Sequence, residues 1–522
     1  MRRFATSLKR MHYRYSSSYA AGLFNFKIVT GEMFPYPCRK LDGDEAENLQ
    51  FVLESIRSNN NPLTNLYGAR IAPEYGGLGL GHTAHALIYE EIGTKCDDKL
   101  LSTIRHGGVC TYLLATAGAN EVKGKYLTAM SDGTIRMGWA IEEDGVGSDI
   151  SMNASQAILH DGEGYRLSGK KRCFDAASST HFLVLAKTLT QTATDDGAAV
   201  AHRSSFFICA KDAPGLKVEG NDVILDNTPA SDVVGVIGEG FKNAMITLFT
   251  EQYLYVVSLL GIMKRVLEEL QGLNGEKGIA DVVASCACAI YGMESAVYAL
   301  TANMDIPTED SLLECTLVSS FVRATTTHWL QRLGVLLPPN ESIDNCFRHA
   351  NTLFSLMESR DFLYATAACC GIEDYGLFFQ QATTLQMMQA RTLRSLGVRD
   401  RVPTKDIADA SLIDEVVVKF GDAVEATFVR NGSQVQYQQL LLNRIGEAAS
   451  LLYAASAVAS RASMCAAKGL PSSKVEKQLA SSFIRYSVER AKVLSEESCN
   501  IGRTADDVCK RITLDLCEDL LQ

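Results

Sequence analysis

The hydrophobic pattern of this chain changes period once and then changes back. From Asp42 to Arg57 the apolar side chains Leu49, Val52 and Ile56 recur at helical spacing. Between Thr134 and about Val236 the pattern becomes that of strands, with runs such as Phe182-Leu183-Val184-Leu185-Ala186 and Ser205-Phe206-Phe207-Ile208-Cys209. After Gly238-Glu239-Gly240-Phe241-Lys242 helical spacing resumes and continues to the C-terminus. A strand-forming island between two helical stretches restricts the chain to a mainly α architecture with a central β domain.

Composition excludes several classes. At 522 residues, 47% hydrophobic and 21% charged, with only 11 Pro, the chain can bury a large core and has no disordered composition. Nothing in it approaches the roughly 18 consecutive apolar residues of a membrane-spanning helix. A net charge of -11 gives no basic face for nucleic acid. The 15 Cys are scattered through apolar helical segments without a CxxC pair or a His at ligand spacing, so they read as reduced core residues and no metal site is expected. The N-terminus is basic and Ser-rich, with Arg2, Arg3, Lys9, Arg10, Arg14 and Lys27 and no acid before Glu32. Residues 1–30 therefore read as a mitochondrial transit peptide leading to the matrix; an ordinary basic tail is the other reading.

Further boundaries follow from turn residues. Glu32-Met33-Phe34-Pro35-Tyr36-Pro37 is an extended entry fixed by proline. Ala72-Pro73-Glu74-Tyr75-Gly76-Gly77-Leu78-Gly79-Leu80 is a Gly-rich turn, but without a preceding strand or a Lys-Ser/Thr ending it is no phosphate cradle. Residues 398–405, with Pro403, form the linker candidate. The expected divisions are a helical domain over 31–133, a β domain over 134–240, a helical domain over 241–397 and a C-terminal helical domain over 406–522. In 378–396 an apolar stripe of Phe378, Ala382, Leu385, Met388 and Leu396 beside Arg391 and Arg394 fits an inner-membrane surface, a partner or a plain core.

Several motifs carry a resemblance. PEYGGLGL, the Tyr89-Glu90-Glu91-Ile92-Gly93 helix and Lys123-Gly124-Lys125-Tyr126-Leu127 resemble the first domain of the acyl-CoA dehydrogenases. The Gly147-Ser148-Asp149 turn followed by Leu167-Ser168-Gly169-Lys170-Lys171 is similar to their flavin-binding middle domain. Tyr437-Gln438-Gln439-Leu440-Leu441-Leu442-Asn443-Arg444 and Ser460-Arg461-Ala462-Ser463 resemble the extra C-terminal domain of the very-long-chain branch. The implied fold is an α-helical domain, a small β-barrel-like domain and a four-helix domain, plus that C-terminal helical domain. The implied cofactor is FAD, the implied substrate an acyl-CoA, and the implied assembly a homodimer.

In that family a carboxylate removes a proton from the α carbon of an acyl-CoA while the β hydrogen leaves as hydride to FAD. Two glutamates match the family's positions for the base: Glu358, after an apolar run, and Glu251, on the first helix past the β domain. Read as helical, Glu358 is flanked by Phe354 and Phe362, and Glu251 by Leu248 and Tyr255, apolar surroundings that raise a carboxyl pKa. The matched flavin-facing positions have changed character. Glu142 stands where the family has Thr, and Cys173-Phe174-Asp175 where it has Trp-Ile-Ser/Thr. The Arg and Gln of the dinucleotide-binding arm are unrecognisable near Leu273-Asn274-Gly275-Glu276-Lys277, and a strand-turn segment between Val218 and Val223 is missing. Two functions remain open: a catalytically degenerate structural or assembly subunit of the respiratory-complex type, or an active FAD-dependent long-chain dehydrogenase forming trans-2-enoyl-CoA.

Overall fold

The computed structural model describes residues 18–512, apart from 59–61, 98–102, 148, 195–196, 273–279, 307–310, 338–339, 382–391, 393–399, 405, 408, 501–503, 507 and 510. The dinucleotide-arm segment near Leu273 and most of the 378–396 stripe lie outside the described residues. The chain divides into two compact units, one holding Lys40–Gly261 and the other Tyr13–Arg39 with Ile262–Gln522.

The first unit packs helices against one mixed sheet. Two of its helices, His82–Lys95 and the N-terminal part of Gly240–Gly272, touch backbone to backbone. A Cβ on Gly93 would stand 2.1 Å from the Ser258 carbonyl, and one on Gly261 2.1 Å from the Glu90 carbonyl. Only glycine permits that reciprocal approach. It sets the long helix close enough for its Glu251 to meet side chains from the N-terminal segment.

The sheet joins, in spatial order, β6 (Leu216–Glu219), β7 (Asp222–Pro229), β3 (Gly164–Arg172), β2 (Gln156–His160), β4 (His181–Thr194), β5 (Gly197–Ala210) and β8 (Asp232–Val234), with β1 (Met137–Ala140) parallel to β4. The described strands form one mixed sheet, the central β domain that the change of period predicts. Its spine is the antiparallel β4–β5 hairpin, with β5 at Gly197–Ala210 and the pairing running from His181↔Ala210 to Thr194↔Gly197. Phe182 to Ala186 are all fully buried, because both faces of β4 are covered there. The short connection between β6 (Leu216–Glu219) and β7 (Asp222–Pro229) is a two-residue turn in which Gly220 takes φ 61°. The carbonyl of its Asn221 accepts the Cys173 N–H at 2.7 Å, so the shortened hairpin itself fixes Cys173.

A π-helical stretch, Ile104–Cys110, leads from the helices into the sheet. Its His106 is buried; Nδ1 accepts the Met137 N–H at 3.0 Å, and Nε2 lies 3.4 Å from the Met130 carbonyl. Burial pushes the imidazole down from 6.5 to about 4, so it is neutral in the fold. Between those values the unfolded chain takes up a proton that the folded chain refuses. The stability from neutral His106 is complete above the unfolded value and is lost as pH falls through the window, on the order of 3 kcal/mol in all. Thermal unfolding followed from about pH 7 to about pH 4.5 should show this slope, and His106→Asn, which keeps an acceptor for Met137, should flatten it.

The second unit is helical among its described residues. Ala280–Met304, Leu312–Leu336, Glu341–Leu356 and Arg360–Gln381 are followed by Ala410–Asn431, Gln439–Ala467 and Ser473–Cys499. Gln439–Ala467 is the axis: its residues from Ala448 to Ala459 are buried, and it packs against Ala280–Met304, Leu312–Leu336, Arg360–Gln381, Ala410–Asn431 and Ser473–Cys499. The segment Tyr19–Phe24 is a helix buried in this core: Tyr19 meets Tyr453 edge-on at 6.0 Å, and Phe24 meets Phe420 at 5.1 Å. Of the expected leader, residues 1–17 lie outside the described part, and Tyr19, Ala20, Leu23 and Phe24 are buried. The linker candidate is anchored as well, with Val402 buried and its N–H donating to Asp414 at 2.8 Å.

Candidate functional site

Two buried polar side chains of the first unit sit one turn apart on the long helix. Glu251 and Tyr255 are at i and i+4, hence on one face. Both are buried, Glu251 with 0% exposure. Arg70, at the end of the segment before the Gly-rich turn, places Nη1 2.6 Å from each Glu251 carboxylate oxygen. Its Nη2 lies 3.1 Å from His82 Nε2, and its guanidinium stands 5.4 Å from the centre of the Tyr112 ring. Behind the pair His85 Nδ1 meets the Tyr253 hydroxyl at 3.2 Å. Burial pushes the Glu251 carboxyl above its ordinary range, with the Arg70 cation pulling the other way. Gly108 allows the close fit, since a Cβ there would stand 3.2 Å from Glu251 Oε2.

The second cation, Arg105, comes from the π-helical stretch and is 5% exposed. Its Nη2 donates to Glu142 Oε1 at 3.0 Å, and its charge also acts on Asp175 and Tyr255. Glu142 follows β1 and leaves nearly half of its side chain in solvent. Cys173 donates its thiol to Asp175 Oδ1 at 3.1 Å. Burial pushes the Asp175 carboxyl up, against the thiol hydrogen bond and the Arg105 cation. Glu142, Cys173 and Asp175 all feel the Arg105 charge, which pairs directly with Glu142 while burial favours the neutral form of Asp175.

The neighbouring acid, Glu143, has a different task. It accepts from Lys171 Nζ and Ser155 Oγ at 2.6 Å each and from the Ala154 N–H, tying β3 (Gly164–Arg172) to the turn after β1. In that turn Gly147 takes φ 58°, and Asp149 accepts from the Ser151 N–H and hydroxyl, while Ser148 lies outside the described residues.

Glu358 belongs to the second unit. The apolar helical flanks expected for it are corrected: Glu341–Leu356 ends before it, Arg360–Gln381 begins after it, and the carboxylate sits half-buried in the break. Helix spacing therefore does not bring Phe354 and Phe362 onto its face. Its charge instead acts on Arg323, whose Nη1 donates to the Phe354 carbonyl at 2.9 Å. No cluster of metal-ligating side chains occurs among the described residues.

Sequence reading missed the two arginines. Arg105 has a signal, being the lone charge in the apolar stretch from Ile104 to Leu114; an isolated charge there must find a buried partner. Arg70 has none, since its surroundings look like an ordinary loop.

The comparisons with known proteins bear on the whole chain. The acyl-CoA dehydrogenase N-terminal domain model matches residues 63–134, the middle domain model 138–234, and the ACAD9/ACADV C-terminal domain model 407–519, together more than half of the sequence. The chain belongs to the acyl-CoA dehydrogenase family. Among relatives, the rat mitochondrial very long-chain specific acyl-CoA dehydrogenase is 24% identical over 90% of this chain and 82% of its own. The human protein of that name is 24% identical over 89% and 81%. Potato mitochondrial isovaleryl-CoA dehydrogenase is 30% identical over 39% of this chain and 51% of its own. The crystal structure of a Bacillus anthracis acyl-CoA dehydrogenase complexed with FAD superposes with a TM-score of 0.74 at 20% identity, covering 96% of this chain and 91% of that one, and establishes the shared fold.

Proposed function

We propose that this family member holds FAD in the first unit but is silent as a dehydrogenase, and serves as a structural or assembly subunit in mitochondria. The observation that carries the reading is the Arg70–Glu251 pair. A general base needs a carboxylate free to take a proton. At Glu251 both oxygens are occupied by a buried guanidinium and neither reaches solvent.

Retention of a flavin rests on donors without partners. Arg105 Nε and Trp139 Nε1 are buried and make no hydrogen bond. Such groups are costly unless something accepts from them, and the acceptor-rich edge of a flavin fits. Arg105 pairs with Glu142, and burial favours the neutral form of Asp175, so the negative charge facing that ring is reduced. Arg105, Trp139 and the turn at Gly147 would hold the group, which when bound supplies two-electron acceptance. Localisation follows the mitochondrial relatives, and the location on the matrix side follows the basic N-terminus.

The active reading has one observation in its favour. Glu358 lies half-buried in the break between Glu341–Leu356 and Arg360–Gln381. In that reading Glu358 is the base, a long-chain acyl-CoA the substrate and trans-2-enoyl-CoA the product.

The test is spectroscopic. Purified full-length chain should carry close to one flavin per molecule, and anaerobic palmitoyl-CoA should leave its absorbance unchanged. Bleaching by palmitoyl-CoA that Glu358→Gln abolishes and Glu251→Gln spares would establish the active reading. A colourless protein would remove the flavin from the proposal.

A further inference from the structure

The second unit contains a cleft of about 930 Å³ among the helices Ala280–Met304, Leu312–Leu336, Arg360–Gln381, Gln439–Ala467 and Ser473–Cys499. Its open lining mixes apolar and cationic surface. Tyr486, 70% exposed, and the exposed Leu440 stand in it with Trp329 and Phe483. Apolar side chains gathered in one exposed place mark a surface that something covers. Arg332 and Arg360 are exposed in the same lining. Arg360 meets the exposed Asp361 beside it at 3.0 Å, a contact that counts for little in solvent. Arg332 lies 5.0 Å from the centre of the Trp329 ring and has no carboxylate partner among the described residues.

The C-terminal stretch of the chain is anchored to this lining. Arg444 holds Asp506 through both carboxylate oxygens, with Nη1 3.1 Å from Oδ1. Asp506 is buried and starts a new helical turn, in which the Cys509 N–H donates to the Ala505 carbonyl at 2.9 Å. Past that anchor the turn points apolar side chains into solvent. Val508 and Ile512, four positions apart on one face, are each about half exposed.

Residues 513–522 lie outside the described residues, and their sequence extends this row. Leu516 and Leu520 follow Ile512 at the same interval of four, with the acids Asp515, Glu518 and Asp519 flanking them. From Asp506 to Leu521 a helix would rise about 22 Å, enough to run past a cleft of this size. A tail with an apolar row and an acidic flank, tethered at a cleft that offers apolar side chains and an unpaired cation, is complementary to it in both respects. A basic segment would leave Arg332 opposed, and a purely apolar one would leave it unanswered.

We propose that residues 513–521 lie along this cleft as an internal clasp, Leu516 and Leu520 covering its apolar wall and the three acids facing Arg332 and Arg360. Such a clasp keeps the groove closed to other amphipathic helices until it is released. The contact lies within the second unit, and it stands whether or not the first unit is catalytic.

Isothermal titration of full-length protein with a synthetic peptide spanning residues 504–522 tests it. The wild-type chain, its cleft filled by its own tail, should show no saturable binding. Full-length protein carrying Leu516→Asp and Leu520→Asp should take up one wild-type peptide per chain. Adding Arg332→Glu to that variant should weaken the peptide roughly tenfold or more, since like charges then meet. A peptide carrying Asp515→Lys, Glu518→Lys and Asp519→Lys should reverse the preference and bind the Arg332→Glu chain more tightly. If the double leucine variant does not fold, Arg332→Glu with its native tail serves in its place: the repelled tail should admit the lysine peptide. Wild-type protein that binds the peptide as tightly as the opened variant overturns the proposal. So does an opened variant that binds none, or an affinity that Arg332→Glu leaves unchanged. A particle mass that falls when the two leucines are replaced would put the tail on a second copy and overturn the internal clasp.

Discussion

Replacing Arg70 with methionine should destabilise the protein by roughly 3–5 kcal/mol, the usual consequence of leaving one member of a buried ion pair without its partner. The side chains of Arg70 and Glu251 are only 12% and 0% exposed, so solvent cannot take over the role of the missing cation. Glu251 would respond by taking up a proton. Burial already pushes its carboxyl above the ordinary range, and Arg70 is the force that opposes this. In the variant the folded state therefore binds a proton that the unfolded chain, with an ordinary carboxyl, releases. The sign follows: stability of the variant is best preserved below the unfolded carboxylate value and is lost as pH rises through the raised one. The gap between wild type and Arg70→Met should accordingly be wide at neutral pH and narrow in acid. Arg70→Met combined with Glu251→Met should recover most of the loss, because well-packed apolar side chains replace a buried pair at little net cost. Thermal unfolding of the three variants at two pH values checks all of this. A single Arg70→Met that unfolds within about 1 kcal/mol of wild type at neutral pH would mean that the pair does not lock Glu251.

How much of this was legible in the sequence depends on the range of the interaction. The strand-forming island and the helical segments on either side were readable because they are set by the repeat of apolar residues over a few positions. The β6–β7 connection was readable as a deletion, and its effect on Cys173 was not, since a hydrogen bond that the Asn221 carbonyl accepts from a residue 48 positions earlier leaves no local pattern. The same holds for both arginines. Glu142 and Asp175 read in the sequence only as acids at flavin-facing positions, because the charge that acts on them lies 37 and 70 positions away in the chain, in Arg105. At Glu358 the error was one of local structure. Leu353, Phe354, Leu356 and Met357 sustain an apolar rhythm, yet the helix stops at Leu356, where Ser359 provides a new start by accepting the Phe362 N–H.

The largest functional effect is expected at Arg105. Under the flavin-holding reading this guanidinium offsets Glu142 and Asp175, and one carboxylate left uncompensated about 4 Å from an anion costs on the order of 4 kcal/mol at an effective dielectric of 20. That is about three decades in affinity. Arg105→Leu should therefore yield protein that purifies almost without flavin, where the wild type carries close to one per chain. Loss of flavin alone could reflect a damaged fold, so the decisive variant is the one that removes the acids as well. Arg105→Leu with Glu142→Thr and Asp175→Thr gives the neutral side chains that the family resemblance places there, leaves no unpaired buried charge, and should restore the flavin. Absorbance read beside the unfolding temperature separates the outcomes. If the single variant keeps its flavin, Arg105 is only a fold element. If the triple variant is folded and still colourless, charge compensation is not what holds the cofactor, and the retention argued from Arg105 Nε and Trp139 Nε1 fails with it.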